Sequence, residues 1–175
     1  AHLSHISCYT TGKYMLLDSS SRRNLELCET LREKQKRGSL LWVLDKTKTA
    51  MGARMLRSFV EQPLIDKDEI TKRLDAVSEL KDNAICREEI REYLTPVYDL
   101  ERLISKVTYQ SANPRDMIAF RSSLEMLPHI KCILGDMQTP LLTELHDSLD
   151  TLEELCSLIQ VSIQDEPPLA MKEGG

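Results

Sequence analysis

Residues 140–163 read PLLTELHDSLDTLEELCSLIQVSI. Within them Leu142, Leu145, Leu149, Leu152, Cys156, Ile159 and Ile163 follow one another at steps of 3, 4, 3, 4, 3 and 4 residues. Such steps put every named side chain on one stripe of a helix, and about three heptads of them make the seam of a coiled coil or a long helical hairpin. Thr139-Pro140 opens the helix as a cap followed by proline at the first helical position, and Asp165-Glu166-Pro167-Pro168 closes it. The preceding stretch supplies a facing stripe of Met117, Phe120, Leu124, Leu127, Ile130 and Leu134. Asn113-Pro114 opens that helix and Gly135 ends it. Pro128 predicts a kink, because it removes one backbone bond and crowds the carbonyl four residues earlier. Only residues 135–139 separate the two stripes, so antiparallel pairing within the chain is expected. A partner-binding face is the other use of such a stripe.

Towards the N-terminus the chain reads as helix after helix. Leu100, Leu103, Ile104 and Val107 mark one helix; Ile85, Ile90 and Leu94 mark another, closed by Pro96. Asp66 followed by Glu69 fits the reciprocal capping pattern, and Ile70, Leu74, Val77 and Leu80 form the expected buried stripe. A helical region runs from about Ser39 to Glu61, with Asp45 and Thr47 placed to interrupt and recap it and Pro63 to stop it. Asp18 and Ser19 to Ser21 offer N-caps for a helix continuing from Arg22 to Glu33. Residues 1–17 differ: Tyr9 to Leu17 reads as a short β-hairpin around Gly12. The expected fold class is therefore all-α, with a minor hairpin near the N-terminus.

Composition agrees. Of 175 residues, 41% are hydrophobic and 29% charged, with only six Gly, which excludes collagen-like, low-complexity and disordered classes. No apolar run approaches a membrane span, and His2 to Lys13 lacks the pattern of a secretory signal. Five scattered cysteines with no CxxC pair suit small half-buried residues in a reducing, cytoplasmic compartment rather than a disulfide framework. The net charge of −5 hides an asymmetry: residues 1–63 hold 11 basic and 6 acidic side chains, residues 64–175 hold 12 and 22.

Chemistry is sparse. There is no phosphate-binding GxxxxGK[ST] loop, no GxGxxG, no HExxH and no GxSxG elbow, so no catalytic, cofactor or metal residue is expected. Glu88-Glu89 and Glu153-Glu154 are adjacent on helices and point apart; they read as solvated faces. His129 and His146 have no nucleophile beside them, and His2, His5 and Cys8 lack a fourth ligand. Arg22, Arg23, Lys34, Lys36 and Arg37 form a basic cluster able to neutralise phosphates, although no aromatic residues interleave it and a solvated loop is the plainer reading.

Two ordered stretches carry a resemblance. Tyr14 to Leu27, with Met15, Asp18, Arg22, Asn24, Leu25, Glu26 and Leu27, resembles the F/Y-M-x-x-D-x-x-[TS]-x-x-N-L-E-L segment of the MutS mismatch-repair family. Leu44-Asp45-Lys46-Thr47-Lys48-Thr49 through Gly52, Arg54 and Leu56 resembles that family's L-D-x-T-x-T-x-x-G-x-R-x-L signature. Glu61-Gln62-Pro63-Leu64 and Arg73-Leu74-Asp75-Ala76-Val77 continue it, and Phe59-Val60 stands where the family often has Trp-Leu. The resemblance, nearest to the bacterial type, implies the first half of the core, or lever, domain, ending just before the clamp insertion. Residues 1–108 would be a helical core part and 109–175 the lever helices, one partial domain overall. It implies a non-catalytic segment that couples an ATPase to a DNA clamp and to mismatch-binding modules. Its partners would be the remaining clamp, connector and ATPase parts of the chain, a dimer partner, and DNA through the parent protein. ATP and magnesium would belong to the parent, and no membrane is involved. Asp18, Arg22, Asn24, Asp45, Thr47, Thr49, Gly52, Arg54 and Pro63 would then be caps and core-joining contacts, Gly52 permitting close helix approach. The alternatives are a free-standing helical interaction module and a weak DNA-binding module using the basic N-terminal third.

Overall fold

A computed structural model describes residues 11–168, and these are all-α. The helices are α1 (Ser19–Asn24), α2 (Leu40–Leu44), α3 (Ala50–Glu61), α4 (Lys67–Asp82), α5 (Ala84–Leu94), α6 (Leu100–Thr108), α7 (Pro114–Leu124), α8 (Leu127–Gly135), α9 (Pro140–Ser148) and α10 (Glu153–Ser162). Most start where a short polar side chain accepts an otherwise unpaired N–H. Asp18 accepts from Ser21 (2.6 Å), Ser39 from Trp42 (3.2 Å), Thr49 from Gly52 (3.0 Å) and Asp66 from Glu69 (2.9 Å). Asn113 and Asp116 form a reciprocal box at the start of α7, at 2.8 and 3.0 Å.

The chain divides into two compact units: within the described residues, 11–46 with 55–71, and 47–54 with 72–168. In the first, no hairpin is seen among the described residues. Tyr9 and Thr10 lie outside the described residues, Thr11–Lys13 is a single 3-10 turn, and Tyr14 makes an isolated antiparallel bridge to Leu64. The Met15 N–H donates to the Pro63 carbonyl at 2.8 Å, so the extended segment is paired by the stretch that ends α3, not by its own neighbour. The helix expected from Arg22 to Glu33 also stops early, at Asn24. Glu26 turns into the left-handed region (φ 48°), and its carbonyl and that of Leu27 accept the N–H groups of Leu40 (3.0 Å) and Leu41 (2.8 Å). Two free donors at the start of α2 are thereby satisfied by the Glu26-Leu27 turn, an arrangement that a continuing helix would forbid. Gly38, at φ 92°, makes the turn into α2.

In the second unit, α8 packs on α9, α7 on α10, α5 on α8 and α6 on α7. The two stripes thus pair as an antiparallel hairpin, but neither is one helix. Pro128 cannot bond the Leu124 carbonyl, and the first stripe is interrupted at Glu125-Met126, just where the kink is expected, with both residues still helical in φ and ψ. The second stripe is fully broken. Leu149 turns extended, Leu152 sits at φ 52°, and the Asp150 carboxylate accepts the Leu152 N–H at 2.9 Å. The uninterrupted heptad seam is therefore incorrect: Leu142 and Ile159 are buried, whereas Leu145 and Leu152 are exposed.

The core of this unit is Ala76, Ile130, Leu134, Met137 and Leu142, with Leu80, Ile90, Tyr93 and Leu94 against it. Here α4 reverses its expected stripe: Ile70, Leu74 and Val77 are exposed, and Lys72, Arg73, Ala76, Glu79 and Leu80 are the covered face. Polar anchors set that face. Lys72 pairs with Glu144, and Glu79 accepts from the N–H groups of Gln138 (2.7 Å) and Thr139 (2.9 Å). Small Ala76 lets Ile130 and Leu134 approach the helix between them.

Candidate interaction site: an arginine cleft and the motif residues

The motif residues fall into both units. Asp18, at the N-cap of α1, is held below its ordinary value by the Ser21 backbone N–H and hydroxyl. That short helix presents Arg22 and Arg23, and Asn24 closes it. The Arg22 Nε donates to the Leu17 carbonyl at 3.0 Å, which fixes the guanidinium across the first turn. Opposite lies the second half of α3, where the Arg57 Nε donates to Glu61 Oε1 at 2.9 Å over an i,i+4 step. The same oxygen accepts from the Cys28 thiol at 3.3 Å. Burial pushes that thiol's pKa up, and Glu61 adds to the effect. Burial also pushes the Glu61 carboxyl up, but hydrogen bonds from Arg57 and Cys28, with the charge of Arg22, bring it below its usual value. Leu17, Ser19, Arg22, Arg23, Leu27, Cys28, Glu29, Arg57 and Glu61 enclose a cleft of about 420 Å³.

The rest of the expected basic cluster does not join this cleft. Lys34 (φ 49°) and Arg37 are exposed on the turns before α2, and Lys36 is neutralised by Asp45, just after α2. Pro63 serves through its carbonyl, the acceptor for Met15.

In the other unit, Thr47 and Thr49 precede α3. The close approach at Gly52 is to these two residues, not to another helix: a Cβ there would stand 3.1 Å from Thr49 Oγ1 and 3.5 Å from Thr47 Cβ. Arg54 grips both oxygens of Asp99 at 2.8 Å each and also pairs with Glu101. Asp99 in turn caps α6 through the Arg102 N–H at 3.3 Å, and the Arg54 contact depresses its pKa. Sequence reasoning missed Arg57, Glu61 and Cys28 as site residues. The Arg57–Glu61 spacing was a readable signal, but Cys28 lies 33 residues from Glu61 and Asp99 45 from Arg54, and no local pattern links them.

His129 stacks on Tyr93 with ring centroids 4.7 Å apart, and His146 Nδ1 lies 2.9 Å from Asp147, both accounted for on helix surfaces. Cys132 is exposed, contrary to the half-buried role expected of it, and Cys28, Cys86 and Cys156 are half-buried. Among the described residues no three His, Cys, Asp or Glu side chains gather as a metal site. The His2, His5 and Cys8 set lies outside them. No helix among the described residues is long and apolar enough to cross a membrane.

Residues 20–175 match the family model of MutS domain III. The DNA mismatch repair protein MutS of Lachnoclostridium phytofermentans is 68% identical over all of the chain's 175 residues, which cover 19% of that protein. Those of Ruminiclostridium cellulolyticum and Alkaliphilus oremlandii are 53% and 49% identical, again over the whole chain and 20% of theirs. The chain thus spans about a fifth of the length of the curated relatives it matches. With the two motif stretches folded as caps and turns and a family match over nearly its whole length, the chain belongs to the MutS family, in its domain III.

Proposed function

We propose that this chain is the non-catalytic core and lever segment of a DNA mismatch repair protein, coupling an ATPase to a DNA clamp and to mismatch-binding modules. The observation that carries the reading is the antiparallel hairpin of α7–α8 on α9–α10, in a chain that is a fifth of its relatives. A hairpin whose two arms share buried residues moves as one arm, so displacement at one end is delivered at the other. In this reading residues 109–175 are the lever, and the clamp, connector and ATPase parts lie in the chain outside residues 1–175. So do the ATP and magnesium sites, and DNA and a dimer partner are met by the assembled protein in the cytoplasm. The motif residues serve as caps and joints, which is what Asp18, Thr49 and Arg54 do in the fold. The second reading, weak DNA-backbone contact, would use the basic residues of the N-terminal third, Arg22, Arg23, Lys34, Lys36 and Arg37, of which Arg23, Lys34 and Arg37 are exposed and make no ion pair among the described residues.

The test uses the full-length MutS protein carrying this segment. Leu124→Ala with Ile159→Ala loosens α7 against α10, where both side chains are buried. The expected result is basal ATP turnover close to that of the parent, with its response to mismatched duplex reduced several-fold. An unchanged response would remove the lever role. Salt-sensitive duplex binding by residues 1–175 alone, lost on replacing Lys34 and Arg37, would favour the DNA-contact reading instead.

A further inference from the structure

The cleft between α1 and α3 holds more guanidinium than it uses. Arg22 is anchored through Nε alone, and Arg57 spends Nε on Glu61. Arg23 has no partner among the described residues, although its side chain lines the cleft. Three arginines face two carboxylates there, and of those Glu61 is already committed to Arg57 and Cys28. The cleft is thus left with an excess positive charge and with unused paired N–H donors, the fork that matches a planar carboxylate.

We infer that this cleft receives an aspartate or glutamate side chain from the part of the MutS chain outside residues 1–175. Three features favour a carboxylate over a DNA phosphate. The space is a recess of about 420 Å³ walled in part by Leu17 and Leu27, which a side chain can enter and the outer face of a duplex backbone would only cover. Glu29 and Glu61 line the same recess and would repel a run of phosphates, whereas one added carboxylate offsets the remaining excess charge. Lys34 and Arg37, exposed cations that make no ion pair among the described residues, lie outside the recess. The relatives are about five times as long, so the occupant is assigned to the part of the MutS chain that they have beyond this segment. The assignment rests on family membership and not on the lever reading; the recess can be occupied whether or not α7–α10 transmits motion.

The experiment is site-specific photo-crosslinking in the full-length MutS protein, with benzoylphenylalanine in place of Ser19, which lines the cleft. Irradiation without DNA is expected to join this position to a peptide outside residues 1–175 that carries Asp or Glu at or next to the point of attachment. R23Q removes no hydrogen bond or ion pair made within the described residues, so it should leave folding intact while lowering the crosslink yield by about fivefold or more. R23K, which keeps the charge and loses the fork, should fall between. Exchanging the mapped acid for Arg together with R23E should restore the yield. The inference is overturned if the crosslink forms only to added DNA, stays within residues 1–175, is absent, or is unaffected by R23Q.

Discussion

Thr139 precedes Pro140 at the start of α9, yet its own side chain does not cap that helix. Glu79, on α4, does so from 60 residues away. Its carboxylate accepts the Gln138 and Thr139 N–H groups and, at 2.6 Å, the Thr139 hydroxyl. Those bonds, the hydroxyl's first, hold the Glu79 pKa below its ordinary value. A carboxyl depressed in the folded state stabilises it fully above the unfolded value of about 4.3, and that contribution is lost as pH falls through and below this value. E79Q should therefore lower the melting temperature of the 175-residue chain at pH 7 and reduce the loss on acidification. Thermal melts between pH 3 and 7 measure both, and parallel acid limbs for the two proteins would contradict the assignment. The Thr139-Pro140 start was readable in the sequence; the acid that completes it was not, because only packing of α4 on this unit brings it there.

At the scale of elements, the paired helices gain stability at particular positions and not along a seam. Leu142 and Ile159 are buried, Leu145 is 46% exposed, and Leu152 adopts a left-handed backbone that costs a residue with a side chain roughly 1–2 kcal/mol. Leu142→Ala should cost about 2–5 kcal/mol in urea unfolding and Leu145→Ala less than about 1. Equal costs would restore the continuous seam. The break is also held locally: the Lys131 ammonium donates to the Leu149 carbonyl at 2.7 Å, satisfying an acceptor that an unbroken helix would have paired with residue 153. Heptad spacing fixed which residues are apolar but not whether one helix carried them all, since Asp150 offers the backbone a competing turn.

Across the molecule, many large apolar side chains remain in water. Ile70, Leu74 and Val77 on α4, Ile104 and Val107 on α6, and Leu155, Leu158 and Val161 on α10 are all exposed, Val161 at 83%. Contiguous exposed apolar faces drive association. The chain on its own should bind an apolar-sensing dye, and its mass in sedimentation should rise with concentration, with residues 115–163 carrying the contact. A clean monomer that leaves the dye dark would contradict this. The sequence located the apolar residues at helical period and led to the expectation that part of the stripe stays unpaired within residues 1–175; which faces stay open was decided by the packing.

By itself, then, the sequence determined the all-α class, the helix starts marked by Asp18, Ser39, Asp66, Asn113-Pro114 and Thr139-Pro140, the interruption before Pro128 and the family, because caps, prolines and short motifs act over three or four residues. Tertiary structure alone decided which face of α4 is covered, where the last helix breaks, how Tyr14 finds Leu64, and that Arg22, Arg23 and Arg57 share one cleft. Each of these depends on groups tens of residues apart, whose pairing is set by the free energy of packing whole elements rather than by any local preference.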